Sequence, residues 1–232
     1  MKILSFDTTL ETCSVAVTDG GACLAHRAER LGRGHAEALL PMIGTVMADA
    51  GINYSSLDVV AVTIGPGTFT GQRIGLAAAR GIGLAQDIPV QGVTTLSAIA
   101  YGLSVDGLVN AGEDRLVALD ARRGEIYVQS FPEPLIWPHI ITEPAAVPVA
   151  DVGHHIPKGP CVIAGTGVQL VEENCTEPSA GIRYLTTPNE ADALHVAALA
   201  AQTIAVNGLP TTPPAPLYLR GPDAKLPGGR TL

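Results

Sequence analysis

The sequence predicts an α/β fold made of two similar halves, and two observations lead to this prediction. The chain begins with three strand-like segments in succession and continues with alternating helix-like and strand-like segments. Later it returns to a hairpin-like pair of strands, a further apolar strand and a long helix. Antiparallel strands followed by alternating helices and strands are typical of a ribonuclease H-like half.

The elements of the first half, residues 1–106, follow from residue alternation and from helix start signals. Its strands are predicted at Lys2–Asp7, Ser14–Asp19, Cys23–Ala28, Asp58–Ile64 and Pro89–Gly92. Its helices are predicted at about His35–Ala50 and Phe69–Gln86. A third helix is predicted to start near Thr94 and Thr95, because a threonine side chain can cap a helix.

The second half, residues 107–232, follows a polar break at Asp106–Glu113 that contains glycine and asparagine. Strands are predicted at Arg115–Asp120, Glu125–Phe131 and Cys161–Gly165, with Arg122, Arg123 and Gly124 in the hairpin turn. A helix is predicted at about Glu190–Val206, with Asn189 as its cap and Gly208 at its end. The proline-rich segment 132–159 gives no clear pattern, and a Pro/Gly-rich tail is expected after Arg220.

Composition excludes several classes of protein. Apolar residues make up 47% of the 232 residues, which excludes a disordered chain. A net charge of −8 and 4% aromatic residues argue against a chain that binds nucleic acid by itself. The sequence has no apolar run long enough to cross a bilayer and no signal-peptide pattern, so we expect a cytoplasmic protein.

A glycine-rich segment joins the fourth strand to the second helix. We call it the glycine loop, and it consists of Gly65, Pro66, Gly67, Thr68, Phe69, Thr70 and Gly71, with Arg73 following. Its glycines permit backbone angles or close approaches that a Cβ atom would block, and its threonines can cap the helix. Such a loop is either a contact for an anion or a partner, or a structural turn. It is not a P-loop, because no Gly-Lys-Ser/Thr follows.

Several motifs occur together and in a fixed order. They are Ile3–Thr9, His35–Ile43, the glycine loop with its continuation to Gly75, Asp120–Tyr127 and Pro216–Arg220. The set resembles the TsaB family of tRNA threonylcarbamoyladenosine biosynthesis proteins. This resemblance implies two ribonuclease H-like halves of the actin-like ATPase (ASKHA) superfamily. It is thin between about residues 132 and 187, and Gln72 stands where many relatives have an apolar residue.

The resemblance implies a non-catalytic scaffold or activator in tRNA modification. The expected partners are a TsaD-like catalytic subunit and a TsaE-like ATPase, with a homodimer when the chain is alone. Contact with tRNA is expected only through a partner, and no cofactor is expected. No metal site is expected either, because His35 is a single ligand and Leu39 occupies the position of a second histidine in TsaD.

The resemblance also implies a helical interface with the partner. Its candidate residues are Leu39, Leu40, Ile43 and Met47 on the first helix and Ile74, Ala78 and Gly81 on the second. Small residues let a second backbone come close, but they serve equally well inside a core. Both interpretations of the second helix remain open at this point.

An ATP-dependent, kinase-like enzyme of the actin-like fold is the alternative function. Asp7, Asp120, Gly165 and Gly167 would then form the loops that hold phosphate, metal and adenosine. Against this, Thr8 and Thr9 carry Cβ atoms where such ATPases have glycine. The arginines after Asp120 either contact phosphate or an acidic partner, or are simply solvated.

Overall fold

The computed structural model describes residues 1–138, 142–175 and 181–220. The strands are β1 Lys2–Asp7, β2 Thr12–Asp19, β3 Ala22–Arg30, β4 Val59–Thr63, β5 Val90–Val93, β6 Asp114–Arg122, β7 Glu125–Phe131, β8 Ala145–Pro148, β9 Cys161–Ala164 and β10 Ile182–Tyr184. The α-helices are α1 His35–Asp49, α2 Phe69–Gln86, α3 Thr95–Val105, α4 Val168–Asn174 and α5 Ala193–Asn207. The predicted tail after Arg220 lies outside the described residues.

The first sheet has the strand order β3-β2-β1-β4-β5. β1 pairs antiparallel with β2 and parallel with β4, so it lies at the centre of the sheet. Its residues and those of β4 are almost entirely buried, as expected of strands covered on both faces. β3 is the exposed edge, and its side chains are mostly solvent-accessible.

The second sheet repeats this arrangement with the order β8-β7-β6-β9-β10. β6 takes the place of β1, because it pairs antiparallel with β7 and parallel with β9. The predicted α/β fold of two ribonuclease H-like halves is therefore confirmed. The sequence did not indicate β8, α4 and β10, which all lie in the segment where the motifs were thin.

Two helices cross between the halves. α5, from the second half, packs on β1, β2, β4 and β5 of the first sheet. α3, from the first half, contacts β6 and β7 of the second sheet and also packs on α5. The division at residue 106 therefore stays a prediction, because the two cores share these helices.

The start of α5 differs from the prediction. The helix begins at Ala193, and Asp192 caps it by accepting a hydrogen bond from Leu194 N at 2.8 Å. Glu190 instead accepts a hydrogen bond from Thr12 N at 2.6 Å, which ties the segment before α5 to β2. The predicted end of the helix at Gly208 is confirmed.

No helix within the described residues is both long enough and apolar enough to span a membrane.

Candidate functional site

A cleft of about 1020 Å³ lies between the two halves. The first half contributes the turn after β1 and the start of α2, including Gly67, Thr68 and Arg73. The second half contributes the end of β6 and the β6–β7 turn, from Leu119 to Arg123. The C-terminal residues Leu217–Arg220 form a further wall. A concave space of this size with several polar groups is the usual form of a ligand site.

The glycine loop packs directly on the turn that follows β1. A Cβ atom on Gly67 would lie 2.5 Å from the carbonyl oxygen of Thr9, and one on Gly71 would clash with the carbonyl oxygen of Thr8. The two segments are also joined by hydrogen bonds, from Thr68 N to Thr9 O at 2.7 Å and from Thr8 Oγ1 to Gly71 O at 2.7 Å. The loop therefore has a structural role whether or not it binds a ligand.

The two first glycines of the loop are required for different reasons. Gly65 has a φ of +104°, which disfavours any residue with a side chain. Gly67 lies outside the left-handed region, so its requirement comes from the close contact with Thr9 and not from its backbone angles. Thr68 caps α2 by accepting a hydrogen bond from Gly71 N, whereas Thr70 lies within the helix.

Three side chains form an exposed cluster at the start of α2. The rings of Phe69 and Tyr218 stack with centroids 5.7 Å apart. The guanidinium carbon of Arg73 lies 3.6 Å from the centroid of the Phe69 ring, and Arg73 Nε donates to the hydroxyl of Tyr218 at 3.1 Å. This cluster attaches the C-terminal segment to the glycine loop.

Asp7 is the last residue of β1 and is fully buried. Its Oδ1 atom accepts hydrogen bonds from Thr9 N, Thr9 Oγ1 and Thr63 Oγ1 at 3.2, 2.6 and 2.5 Å. Its Oδ2 atom has no hydrogen-bond partner among the described residues. Burial raises the pKa of Asp7 to about 6, although these hydrogen bonds lower it. Asp7 is thus engaged inside the fold and does not line the cleft.

Asp120 lines the cleft and holds its own turn. Its Oδ1 atom accepts a hydrogen bond from Arg122 N at 2.7 Å, and its Oδ2 atom lies 3.0 Å from Arg122 Nη1. Arg122 and Arg123 have φ values of 64° and 57°, the left-handed conformation that residues other than glycine rarely adopt. The Arg122 side chain is 78% exposed, so it is available to solvent despite this pair.

Gly165 and Gly167 pack against β6 and not against open space. A Cβ atom on Gly165 would clash with the carbonyl oxygen of Ala118. One on Gly167 would lie 2.8 Å from Ile126 Cδ1 and 3.1 Å from Asp120 N. Thr166, between them, accepts a hydrogen bond from Asp120 N at 3.1 Å and does line the cleft. Internal packing therefore accounts for both glycines.

Among the described residues that line the cleft, basic side chains outnumber acidic ones. The arginines are Arg30, Arg73, Arg122, Arg123 and Arg220, and the acids are Glu11, Asp120 and Glu190. Several of these charges pair with one another, as Arg30 does with Glu11 at 2.5 Å. The cleft is therefore locally basic in a chain whose net charge is −8.

A serine, a histidine and an aspartate also meet near the start of α5, but their geometry does not form a catalytic triad. Ser14 Oγ and Asp192 Oδ2 both approach the same nitrogen of His26, Nε2, at 3.4 and 3.0 Å. A triad requires the two ring nitrogens to serve different partners. Ser14 is fully buried and accepts a hydrogen bond from Ala193 N at 3.0 Å, so it fixes α5.

Among the described residues, no group of three or more histidines, cysteines or acids is arranged to hold a metal ion.

The predicted partner residues separate into two groups. Leu39, Ile43 and Met47 are buried in the core of the first half, so they support α1 and do not form its surface. On α1 the exposed stripe lies one residue further along and consists of Ala36, Leu40, Gly44 and Ala48. On α2, Gly81 is exposed, and Ile74 and Ala78 are half-buried against the core of the first half.

Three residues with clear structural roles in or beside the cleft were not predicted as site residues from the sequence. Thr63 donates to Asp7, Tyr218 stacks on Phe69, and Arg220 pairs with Glu125 at 2.9 Å. The motif Pro216–Arg220 was the available signal for the last two. Its spacing alone does not indicate that the segment returns to the cleft.

Comparison with known proteins identifies clear relatives. A family model described as "TsaD: tRNA N6-adenosine threonylcarbamoyltransferase" matches residues 28–165. The chain is 33% identical to tRNA threonylcarbamoyladenosine biosynthesis protein TsaB of Escherichia coli, over 98% of this chain and 99% of the relative. It is 31% identical to the Haemophilus influenzae protein of the same name, over 76% and 78%. YeaZ from Pseudomonas aeruginosa superposes with a TM-score of 0.81 at 27% identity, over 94% of this chain and 99% of that chain.

The raised pKa of Asp7 predicts a stability that depends on pH. In the folded protein the Asp7 carboxyl group keeps its proton up to about pH 6, whereas in the unfolded chain it loses the proton near pH 3.8. The contribution of the protonated group is therefore complete below pH 3.8 and is lost as the pH rises through about 6. Asp7→Asn stays neutral at every pH. As the pH rises from 4 to 8, its unfolding free energy should therefore increase relative to that of the native chain by about 2–3 kcal/mol. Denaturant unfolding of the variant and the native chain across this pH range measures the change. A difference in unfolding free energy that does not vary with pH would contradict the raised pKa of Asp7.

The close contact of Gly67 predicts a specific cost for a single methyl group. Gly67→Ala should lower the unfolding free energy by about 1–3 kcal/mol, because the backbone of Thr9 occupies the space. Gly81→Ala is the matched control, since its Cβ would meet nothing within 4 Å in an exposed part of α2, the helix that follows the loop. It should be neutral or stabilising by up to about 1 kcal/mol. Equal melting temperatures for the two variants would show that the loop is not tightly packed.

Proposed function

The chain belongs to the TsaB family of tRNA threonylcarbamoyladenosine biosynthesis proteins, and we propose that it is a non-catalytic subunit that activates a TsaD-like threonylcarbamoyltransferase. Its role in this biosynthesis follows from the family. The absence of catalysis and the identity of the partner are the parts that we propose. The observation that carries the proposal is the exposed, small-residue surface of α1 and α2, together with the match of residues 28–165 to the TsaD family.

The match to the TsaD family supports pairing between two chains of the same fold. Residues 28–165 include both α1 and α2. Related folds that place the same helices together can form a pseudo-symmetric interface, as identical chains do in a two-fold dimer. The same surface would serve a homodimer when the chain is alone, so the two assemblies would compete.

The surface of the two helices is suited to close helix packing. α1 exposes Ala36, Leu40, Gly44 and Ala48, and α2 exposes Ala77, Gly81 and Ala85, both at intervals of four residues. Leu40 is 59% exposed and Leu84, beside this stripe, is 86% exposed. Apolar side chains that are this open on neighbouring helices favour a protein partner.

The contacts of the loops that would hold nucleotide in an ATPase of this fold support a non-catalytic role. Asp7 is enclosed by Thr9 and Thr63, and Asp120 holds the turn that contains Arg122. Gly165 and Gly167 are packed against β6. None of these groups combines an accessible carboxylate with open glycine backbone, which a phosphate site of this fold requires.

The remaining partners follow from the same proposal. A TsaE-like ATPase would join the pair, and tRNA would be contacted chiefly through the catalytic subunit, because this chain carries a net charge of −8. The complex would operate in the cytoplasm, and the chain itself would need no cofactor.

The cleft gives a specific reason to keep a second candidate, an ATP-dependent, kinase-like enzyme. It has about 1020 Å³ of space, and arginines are prominent in its lining. In that enzyme Asp120 would hold a metal ion that contacts the phosphate. The kinase-like enzyme would depend on the carboxylate of Asp120 for its reaction, whereas the non-catalytic subunit would not.

Pairing predicts a strong effect of a large side chain at Gly81. Gly81→Trp should fold normally, because a side chain there points into open space, but it should reduce the affinity for a TsaD-like subunit at least about tenfold. Gly153→Trp is the matched control, since Gly153 is also exposed and unobstructed but lies in the second half. Analytical ultracentrifugation or calorimetry of the mixed subunits measures this. Unchanged affinity of Gly81→Trp would contradict the interface.

A reconstituted reaction separates the two candidate functions. For a scaffold, Asp120→Ala should change the rate of tRNA modification less than about threefold at saturating partner. For an enzyme that uses Asp120 on a metal or phosphate, the rate should fall about a hundredfold or more. Circular dichroism and complex formation would be checked in the same samples. A loss of rate in a folded, fully assembled variant would favour the kinase-like alternative.

A further inference from the structure

The segment Pro214–Arg220, which we call the strap, connects the two halves across the cleft. On the first half, Arg80 Nη2 donates to Pro214 O at 2.6 Å, and Leu217 N donates to Ile64 O at 2.8 Å. Ile64 lies immediately before the glycine loop, so the strap is fixed at the base of that loop.

The other end of the strap is attached to the second half. Arg220 Nε forms an ion pair with Glu125 Oε2 at 2.9 Å, and Arg220 Nη1 donates to Ala121 O at 3.1 Å. Both acceptors belong to the β6–β7 hairpin, which carries Asp120 and the two arginines of its turn. Arg220 therefore joins the wall of the second half to a segment anchored on the first.

Between these ends the strap contacts the start of α2. Tyr218 stacks on Phe69 and accepts a hydrogen bond from Arg73. Leu217, Tyr218, Leu219 and Arg220 all line the cleft. When these contacts are formed, the strap thus closes one side of the cleft and holds the first turn of α2.

The strap is held by weaker contacts than the sheets. None of its residues is fully buried, and Tyr218 is 45% exposed. The side chains of Arg220 and Glu125 are 21% and 34% exposed, so salt screens their attraction. A segment with partly exposed contacts and no regular structure opens with less free energy than buried strands do.

We propose that the strap is a reversible latch, in which release of Arg220 from the β6–β7 hairpin opens the side of the cleft and loosens the glycine loop while both sheets stay folded. This inference concerns the chain by itself. It does not depend on a partner or on the proposed function.

Hydrogen exchange of the full chain, followed by mass spectrometry, tests the latch. The reporters are the amide of Leu217 for the strap, the amides of Thr68 and Gly71 for the glycine loop, and the amides of β1 for the core. Arg220→Ala and Glu125→Gln remove the ion pair from either side. Arg33→Ala is the matched control, because Arg33 is an exposed arginine outside the strap.

In both latch variants the amide hydrogens of the strap and the glycine loop should exchange about three- to tenfold faster than in the native chain, and the exchange rates of the β1 amides should not change. The native chain should respond in the same way to about 1 M salt, and Glu125→Gln should respond less than the native chain, because its ion pair is already absent. The control should match the native chain.

Two results would overturn the latch. Exchange of Leu217 at the rate of the β1 amides would mean that the strap opens only when the whole chain unfolds. Faster strap exchange without any change at Thr68 and Gly71 would mean that the strap does not hold the glycine loop. If Arg220→Ala does not fold, the exchange of Glu125→Gln and the salt dependence of the native chain still test the latch by the same criteria.

Discussion

Close packing between the glycine loop and the turn after β1 positions the elements around the cleft. The carbonyl groups of Thr8 and Thr9 fit into space that exists only because Gly67 and Gly71 have no Cβ atom. The hydrogen bond from Thr68 N to Thr9 O then fixes the residue that caps α2. Because a helix is stiff, fixing its first turn also sets which side faces the core, which faces α1 and which meets the C-terminal segment.

The buried polar cluster beneath this contact explains how the turn is held in place. Asp7 lies among buried, largely apolar strands, where an isolated carboxylate would be strongly unfavourable. Hydrogen bonds from Thr9 and Thr63 offset part of that cost, and Thr95 Oγ1 extends the cluster by donating to Thr9 Oγ1 at 3.1 Å. The cluster thereby connects β1, β4 and α3. The Oδ1 atom of Asp7 thus accepts hydrogen bonds that hold the turn and the sheet together.

The second half repeats the same plan with a different outcome at the surface. Gly165 has a φ of +111°, close to the +104° of Gly65, and both glycines follow the parallel strand next to the central one. Asp120 accepts from the amide two residues later, as Asp7 does. The second turn, however, carries Arg122 in place of Thr9, and it opens to the cleft. In addition, α3 and α5 each pack on the sheet of the other half. The two halves therefore form one unit and meet at the cleft.

The sequence by itself determined the local elements, and only the tertiary structure decided how they face one another. α2 begins at Phe69 and ends at Gln86 as predicted, and β1 and β7 have their predicted bounds, because caps, glycines and alternation are local signals. The apolar stripe of α1 was visible, but its orientation was not, so Leu39, Ile43 and Met47 proved to be core residues while Leu40 is exposed. The hydrogen bond between the side chains of Arg73 and Tyr218 joins residues that are 145 positions apart in the sequence. No local pattern encodes such a contact, because it depends on the path of the whole chain between the two residues.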